Sequence, residues 1–133
     1  MYSINESGVE IKKLKGREYK IIGSADTVGC KNLNMLIGYF PAKKYARGHI
    51  HDVAEEIIYC NKGSGEVVIN GKSEKIKPGT AVYIPPKSMH SVNNIGKEVI
   101  ELICVFSPSI EVGKYQDYNN EWFLKFLYIL KEN

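Results

Sequence analysis

The chain has 133 residues, the length of one domain, and its composition is that of a folded globular protein. Hydrophobic residues make up 44% and charged residues 25%, so we expect a packed core and a single domain over residues 1–133. Lysine and arginine outnumber aspartate and glutamate 18 to 15, without any block of like charge. This argues against a dedicated nucleic-acid surface.

The cysteines and the apolar segments indicate a cellular location. Cys30, Cys60 and Cys104 are far apart and form no Cys-x-x-Cys pair, which argues against both a disulfide framework and a thiolate zinc site. No segment approaches the roughly 20 apolar residues of a membrane helix, and the N-terminus lacks the pattern of a secretion signal. The sequence therefore predicts a cytoplasmic protein without a membrane partner.

Short segments rich in Val, Ile and Tyr, separated by turn signals, predict an all-β sandwich or barrel. Between two of them, Asn70-Gly71 predicts a two-residue hairpin with positive φ at both positions. In chain order, the predicted strands are two edge strands, Val9–Leu14 and Tyr19–Ile22, followed by Leu33–Phe40, Tyr45–His51, Glu56–Asn61, Glu66–Ile69, Lys72–Ile76, Thr80–Ile84, His90–Asn93 and Val99–Phe106.

The end of the chain has helical spacing instead. Asn119-Asn120 can cap a helix, and Glu121–Lys131 carries an apolar stripe formed by Trp122, Phe123, Phe126, Leu127 and Leu130. We predict a short amphipathic C-terminal α-helix at about residues 120–131 that covers the barrel. Further apolar residues lie off this stripe, so we also expect contact with a second subunit.

All three histidines of the chain fall in one pattern. His49 and His51 lie two residues apart on a predicted strand, so their side chains project from the same face. Glu55-Glu56 follows after a short break, and His90 begins a later strand. Three imidazoles and a carboxylate suit one divalent transition metal ion, namely Mn, Fe, Co, Ni or Zn, and leave one or two coordination positions open.

These residues resemble the two motifs of the cupin superfamily of small β-barrels. The first motif is matched by His49, His51, then Glu56 after four residues and Gly63 after six more. The second is matched, at the family's spacings, by the residues Gly79, Pro85, His90 and Asn94. Lys43 and Lys87 stand where the motifs have a glycine; both are turn positions and neither is a ligand.

The resemblance covers roughly residues 33–108 and implies a jelly-roll barrel, also called a double-stranded β-helix. The edge strands would occupy residues 1–32. The resemblance also implies that His49, His51, Glu56 and His90 bind the metal. Alternation cannot choose between Glu55 and Glu56, but the six-residue spacing to Gly63 favours Glu56. A homodimer is a further expectation from the family.

Residues that act beside the metal are harder to predict. Extending the strand backwards from His49 places Arg47 on the same face, where it is a candidate for binding a substrate carboxylate or phosphate. Glu101 faces the pocket as a candidate general base if a loop of two or four residues joins the last two strands; an odd loop turns it outward. Tyr39, Tyr45 and Tyr83 are alternative proton donors. Cys60, if it faces inward, is a buried thiol near the metal.

The resemblance implies an enzyme that acts on a small organic molecule. Candidate reactions are isomerisation or epimerisation of a sugar or sugar phosphate, lyase or decarboxylase chemistry, and dioxygenation. The alternative is a module that binds a small ligand without turnover. A third hypothesis is a structural barrel in which the metal contributes only stability.

Overall fold

The computed structural model describes residues 2–44 and 48–112. In this part of the chain a 3₁₀ turn, Glu6–Gly8, precedes nine strands. The strands are β1 (Lys12–Leu14), β2 (Arg17–Gly23), β3 (Asn34–Phe40), β4 (Glu55–Lys62), β5 (Gly65–Ile69), β6 (Lys72–Ile76), β7 (Ala81–Ile84), β8 (His90–Asn93) and β9 (Ile100–Ser107). None of the helices described is long and apolar enough to cross a membrane.

The strands form two antiparallel sheets, as in a jelly-roll. One sheet has six strands in the order β1-β2-β3-β9-β4-β7, and the other has three in the order β6-β5-β8. Strand β9 lies between β3 and β4, with Leu36 and Ile58 both opposite Cys104. The ends of β3, β4 and β9 thus lie side by side, and β8 belongs to the other sheet.

The core follows from the alternation of side chains. In β4 the even-numbered residues Glu56, Ile58 and Cys60 are buried and their odd-numbered neighbours are exposed. Strand β9 alternates in the same way, with its even-numbered residues buried from Ile100 to Phe106. Because successive side chains point to opposite faces, one face of the large sheet is apolar and packs on the small sheet.

The hairpin at Asn70-Gly71 is confirmed by the backbone. Both residues have positive φ, 48° for Asn70 and 83° for Gly71, as a type I′ turn requires. The tip is anchored to the segment before β8: the Asn70 side-chain oxygen accepts from the Met89 amide at 3.0 Å, and the Asn70 amide donates to the Met89 carbonyl at 2.8 Å. The hairpin therefore holds the backbone next to His90.

One predicted strand is wrong over its described part. Residues 48–51 form no strand; only His49 forms an isolated bridge, with His90. The amide of each residue donates to the carbonyl of the other, at 2.9 and 3.0 Å. The first half of the predicted strand, Tyr45–Arg47, and the predicted C-terminal helix lie outside the described residues.

Candidate metal centre

Three separate segments bring the four candidate ligands together. His49 and His51 come from the segment that bridges to β8, Glu56 lies near the start of β4, and His90 begins β8. Their ligand atoms all lie within 4.8 Å of one another. The group can therefore hold a metal ion. Of the two neighbouring glutamates, Glu56 belongs to the group and Glu55 is exposed.

The cluster is compact, and three of its four members are buried, while His49 is half-buried. His90 Nε2 lies 3.3 Å and His51 Nε2 3.7 Å from Glu56 Oε1. The ring centroids of His49 and His90 are 4.1 Å apart, and those of His49 and His51 4.9 Å. Glu56 is 4% exposed and His90 2%. Water therefore does little to screen these groups from one another.

Two atoms of the cluster test whether a metal fits. Within the described part of the chain, Glu56 Oε1 and His90 Nε2 are buried and make no hydrogen bond, although such groups normally find a partner. His90 Nδ1 lies 3.0 Å from the Ser88 carbonyl oxygen. A carbonyl only accepts, so Nδ1 carries the proton and the Nε2 lone pair points into the cluster. The donor set thus fits a divalent transition metal.

The electrostatics also prepare the cluster for a cation. Burial lowers the pKa of His51 from 6.5 to about 4, and the Glu56 carboxylate opposes this effect only in part. His51 is therefore neutral at pH 7. A neutral imidazole is the form that binds a metal, because its lone pair is not occupied by a proton.

The cluster lies at the wall of a small cavity with about 40 Å³ of free space. Its described walls are mostly apolar, contributed by Leu36, Phe40, Ile58, Val92, Leu102, Phe106, Ile110 and Val112. Two polar side chains from β2, Arg17 and Tyr19, also line it. Neither residue is predicted from the sequence: the predicted strand begins at Tyr19 and so leaves out Arg17, and the two-residue spacing between them is the signal that could have found both.

A buried thiol lies beside the candidate ligands, but it is not the predicted one. Cys60 faces inward as predicted and its Sγ lies 3.3 Å from the Gly63 carbonyl oxygen, yet Cys104 is the cysteine that lines the cavity. Burial, reinforced by the negative charge of Glu56, raises the pKa of Cys104 well above its usual value. Cys104 therefore stays a neutral thiol.

The prediction that Glu101 faces the pocket is wrong. Strands β8 and β9 belong to different sheets, so Glu101 does not lie opposite His90. It pairs with Tyr39 on β3, on the outward face of β9, and accepts a hydrogen bond from Asn61. Neither Tyr39 nor Tyr83 lines the cavity. Arg47 and Tyr45 lie outside the described residues.

The comparisons with known proteins agree with this fold and site. The cupin domain model matches residues 37–106, just over half of the chain. The chain therefore belongs to the cupin domain family. The matched segment contains all four members of the histidine and glutamate cluster.

Individual relatives cover different shares of the chain. An uncharacterized protein from Methanocaldococcus jannaschii is 35% identical over 60 residues, 45% of this chain and 48% of that protein. The chain thus aligns with about half the length of that relative. An L-ectoine synthase from Aliivibrio fischeri is 31% identical over 93 residues, 67% of this chain and 73% of the enzyme.

A solved structure supports the fold at lower identity. The structure of KdgF from Halomonas sp. superposes with a TM-score of 0.70 at 22% identity, covering 84% of this chain and 96% of that one. At this identity the likeness concerns the fold.

Proposed function

We propose that this protein is a cytoplasmic enzyme that uses one divalent transition metal ion to act on a small organic molecule. The observation that carries the proposal is the compact, mostly buried cluster of three imidazoles and one carboxylate at the wall of an apolar cavity. Two of its hydrogen-bonding atoms are unsatisfied within the described structure. The similarity to an L-ectoine synthase supports an enzymatic role.

The residues at the site would have two roles: four of them would hold the ion, and the others shape the cavity. His49, His51, Glu56 and His90 would hold the ion, which when bound supplies a Lewis acid at its open positions. Phe106, whose ring centroid lies 5.1 Å from that of His51, and the other apolar walls exclude water from the ligands. Candidate reactions are those of isomerases or epimerases, of lyases or decarboxylases, and of dioxygenases.

The first test is metal binding by untagged protein, with Glu56→Gln compared with Glu55→Gln. After equilibration with Mn, Fe, Co, Ni or Zn in turn and removal of excess ion, elemental analysis should find one ion per chain. Glu56→Gln should weaken binding by about a hundredfold or more, since even loss of a group that only supports a ligand costs 10- to 100-fold. Glu55→Gln should bind as the unchanged protein does. Absence of a stoichiometric ion, or equal loss in both variants, would contradict the proposal.

The second test separates an enzyme from a binding module. The metal-loaded protein is incubated with sugars, sugar phosphates and carboxylic acids, and the mixtures are followed by NMR spectroscopy. Turnover that Glu56→Gln abolishes supports an enzyme. A compound that the unchanged protein binds without converting supports the non-catalytic alternative. Metal-dependent stability with no ligand at all supports a structural metal.

We also propose a homodimer. The outward face of β4 and β7 exposes Ile57, Tyr59 and Tyr83, and Ile57 lies directly opposite Tyr83. An exposed group of large apolar side chains on a sheet is typical of an interface. Light scattering should give twice the 15.0 kDa mass of one chain. A particle of one chain's mass would overturn this.

A further inference from the structure

The cavity beside the candidate metal cluster is too small for an organic molecule. Its free space of about 40 Å³ has room for two or three water molecules, whereas sites for small organic ligands measure roughly 300 Å³ or more. A ligand can therefore reach the cluster only if part of the cavity wall moves. The hydrogen bonds that hold each part of the wall indicate which part moves at the lowest cost.

Most of the described wall belongs to paired strands. Strands β2, β3, β4, β8 and β9 all contribute side chains to it, and β9 pairs on both sides, with β3 and with β4. The segment with His49 and His51 is also held by its backbone: His49 exchanges two hydrogen bonds with His90, and the Lys87 amide donates to the His51 carbonyl oxygen at 2.8 Å. Moving any of these parts breaks backbone hydrogen bonds that fix the sheets.

The rest of the described wall comes from residues 108–112, which we call the strap. The strap follows β9 directly and belongs to no strand. Two of its side chains, Ile110 and Val112, line the cavity and pack against the core, where each is only half-buried. The strap therefore closes one side of the cavity without being part of a sheet.

The side chain of Asn34 joins the strap to the barrel. Its Nδ2 donates to the Ile110 carbonyl oxygen at 3.0 Å, and the Ile110 amide donates to Asn34 Oδ1 at 3.2 Å. At the start of the strap, the Ser107 hydroxyl donates to the Asn32 carbonyl oxygen at 2.9 Å. Because a side chain makes the two bonds at Ile110, both can break while the backbones of Asn34 and Phe106 stay paired across β3 and β9.

Movement of the strap is a local event. It breaks the two hydrogen bonds at Asn34 and exposes two side chains that are already partly exposed. The free energy needed is therefore a fraction of that for unfolding the whole molecule. Segments that open at such low cost are typical of lids over binding sites.

We propose that the strap is a gate that moves away from the cavity to admit a ligand, and that Asn34 is the positioning residue that holds it closed. The need for a gate rests on the proposed function, because only a ligand larger than the free space requires it. The movement itself does not depend on a bound metal ion, so it can be tested in the metal-free protein.

Two buried cysteines make the movement measurable. Cys104 lines the cavity, whereas Cys60 is also buried but does not line it. The metal-free protein is treated with methyl methanethiosulfonate, a small thiol reagent, at several low concentrations of urea. Peptide mass spectrometry then gives the labelling rate of each cysteine. Hydrogen exchange measured by NMR spectroscopy gives the opening at the Ile110 amide.

In the unchanged protein, Cys104 should react faster than Cys60, at a rate that hardly changes with urea, because strap movement exposes little surface. The opening constant from Ile110 exchange should agree with that from Cys104 labelling within about threefold, since one movement exposes both groups. Labelling of Cys104 that is as slow as that of Cys60, with the same dependence on urea, would overturn the gate.

The variants test the role of Asn34. Asn34→Ala should raise the Cys104 labelling rate about tenfold or more, as expected for the loss of two hydrogen bonds, and Ser107→Ala should raise it a few-fold. The control is Asn61→Ala, which removes a hydrogen bond to Glu101 on the outward face of the same sheet and should leave this rate unchanged. If Asn34→Ala does not fold, the unchanged protein and Ser107→Ala, altered at an exposed residue, decide the question.

Hydrogen exchange in Asn34→Ala separates release of the strap from a general loosening. The amides of the β3–β9 ladder should keep their protection, because the backbone pairing of these strands does not use the Asn34 side chain. Loss of protection along this ladder, or an equal rise in the labelling of Cys60 and Cys104, would overturn the role of Asn34.

The cobalt-loaded protein tests whether the strap controls access to the cluster. Acetohydroxamate, which can bind the metal, is mixed with the protein, and its binding rate is followed by the visible absorption of cobalt. Asn34→Ala should bind it about tenfold faster or more, because a larger fraction of the molecules is open, with the same cobalt content. Equal rates would overturn the strap as the gate. If no ion binds, the proposed function fails, and labelling and exchange alone decide whether the strap moves.

Discussion

His51 shows at the residue scale how burial prepares a side chain for metal binding. Its imidazole is enclosed by the ring of Phe106 and the other two histidines, and burial lowers its pKa from 6.5 to about 4. Between these two pH values the unfolded chain binds a proton at His51 that the folded protein does not. The contribution of this group to stability is therefore complete above pH 6.5 and is lost as the pH falls towards 4.

We expect the unfolding free energy of the metal-free protein to fall by up to about 3 kcal/mol from this group between pH 6.5 and pH 4. Urea denaturation at several pH values measures the slope of the unfolding free energy against pH. The control is His51→Asn, which lacks the titrating group and should show a clearly smaller slope. Equal slopes in the two proteins would contradict the assignment.

Lys87 is strained by the backbone position that it occupies. It stands where the cupin motif has a glycine, and its φ is 63°, in the left-handed region; Lys43, at the other such position, has φ 59°. The lysine at position 87 therefore keeps the backbone shape of the turn at a cost of about 1–2 kcal/mol.

Lys87→Gly should stabilise the protein by up to about 1 kcal/mol, since relief of strain exceeds the extra entropy of a glycine in the unfolded chain. Lys77→Gly is the control: this residue precedes a proline, so its backbone is already extended, and the change should destabilise slightly. Thermal and urea denaturation measure both. A loss of stability in Lys87→Gly equal to that in Lys77→Gly would show that no strain is relieved.

At the element scale, loops with fixed backbone shape hold the strands that carry the candidate ligands. Asn94, matched to the second motif, is completely buried and donates to the carbonyl oxygens of Phe40 at 2.8 Å and Glu98 at 2.7 Å. Its own amide donates to the Lys44 carbonyl oxygen at 3.0 Å. This motif residue therefore joins the loop after β8 to the end of β3 and does not belong to the metal cluster.

Gly63, the last position of the first motif, closes the turn between β4 and β5. Its φ is 79°, and an added Cβ would lie 2.5 Å from the Val99 carbonyl oxygen. Gly79 also has positive φ, 95°, but a Cβ there would meet nothing within 4 Å. The two glycines thus share the backbone conformation and differ in the space around them.

Gly63→Ala should destabilise the protein by roughly 3 kcal/mol, because strain and a clash with rigid backbone add together. Gly79→Ala should cost only the strain, about 1 kcal/mol. Urea denaturation measures the loss in the free energy of unfolding for both variants. The difference between the two losses is the cost of the close contact between the β4–β5 turn and the start of β9. Equal losses would mean that the turn moves freely to admit the methyl group.

At the scale of the whole molecule, the proposed metal would join the two sheets. Glu56 belongs to the six-stranded sheet, His90 to the three-stranded sheet, and the segment with His49 and His51 bridges to β8. An ion held by all four would favour only the arrangement in which these parts are assembled. Metal binding should therefore stabilise the fold as a whole.

Adding the metal identified above, at about 100 to 1,000 times its dissociation constant, should stabilise the protein by roughly 3–4 kcal/mol. For a domain of this size that corresponds to a rise in Tm on the order of 10 °C. Differential scanning calorimetry with and without chelator measures it. Mg²⁺, which prefers oxygen ligands, should give no comparable rise, and Glu56→Gln should lose most of it. A rise of the same size with Mg²⁺ would contradict a site of this chemistry.

The sequence by itself determined most of the described strands and the four members of the candidate metal cluster. Local signals carry both: alternation gives the buried face of β4, Asn70-Gly71 gives the hairpin, and motif spacing selects Glu56 over Glu55. All of these depend on neighbours within a few residues along the chain, which is the range over which backbone geometry acts.

Only the tertiary structure decided what surrounds the metal cluster. Glu101 and Arg17 illustrate this. Glu101 points outward because β8 and β9 belong to different sheets. Arg17 lines the cavity because β2 pairs with β3. Likewise, the cysteine that lines the cavity is Cys104 and not the predicted Cys60. Which strands pair, and in which register, depends on contacts between residues far apart in the chain. Spacing within one strand cannot supply that information.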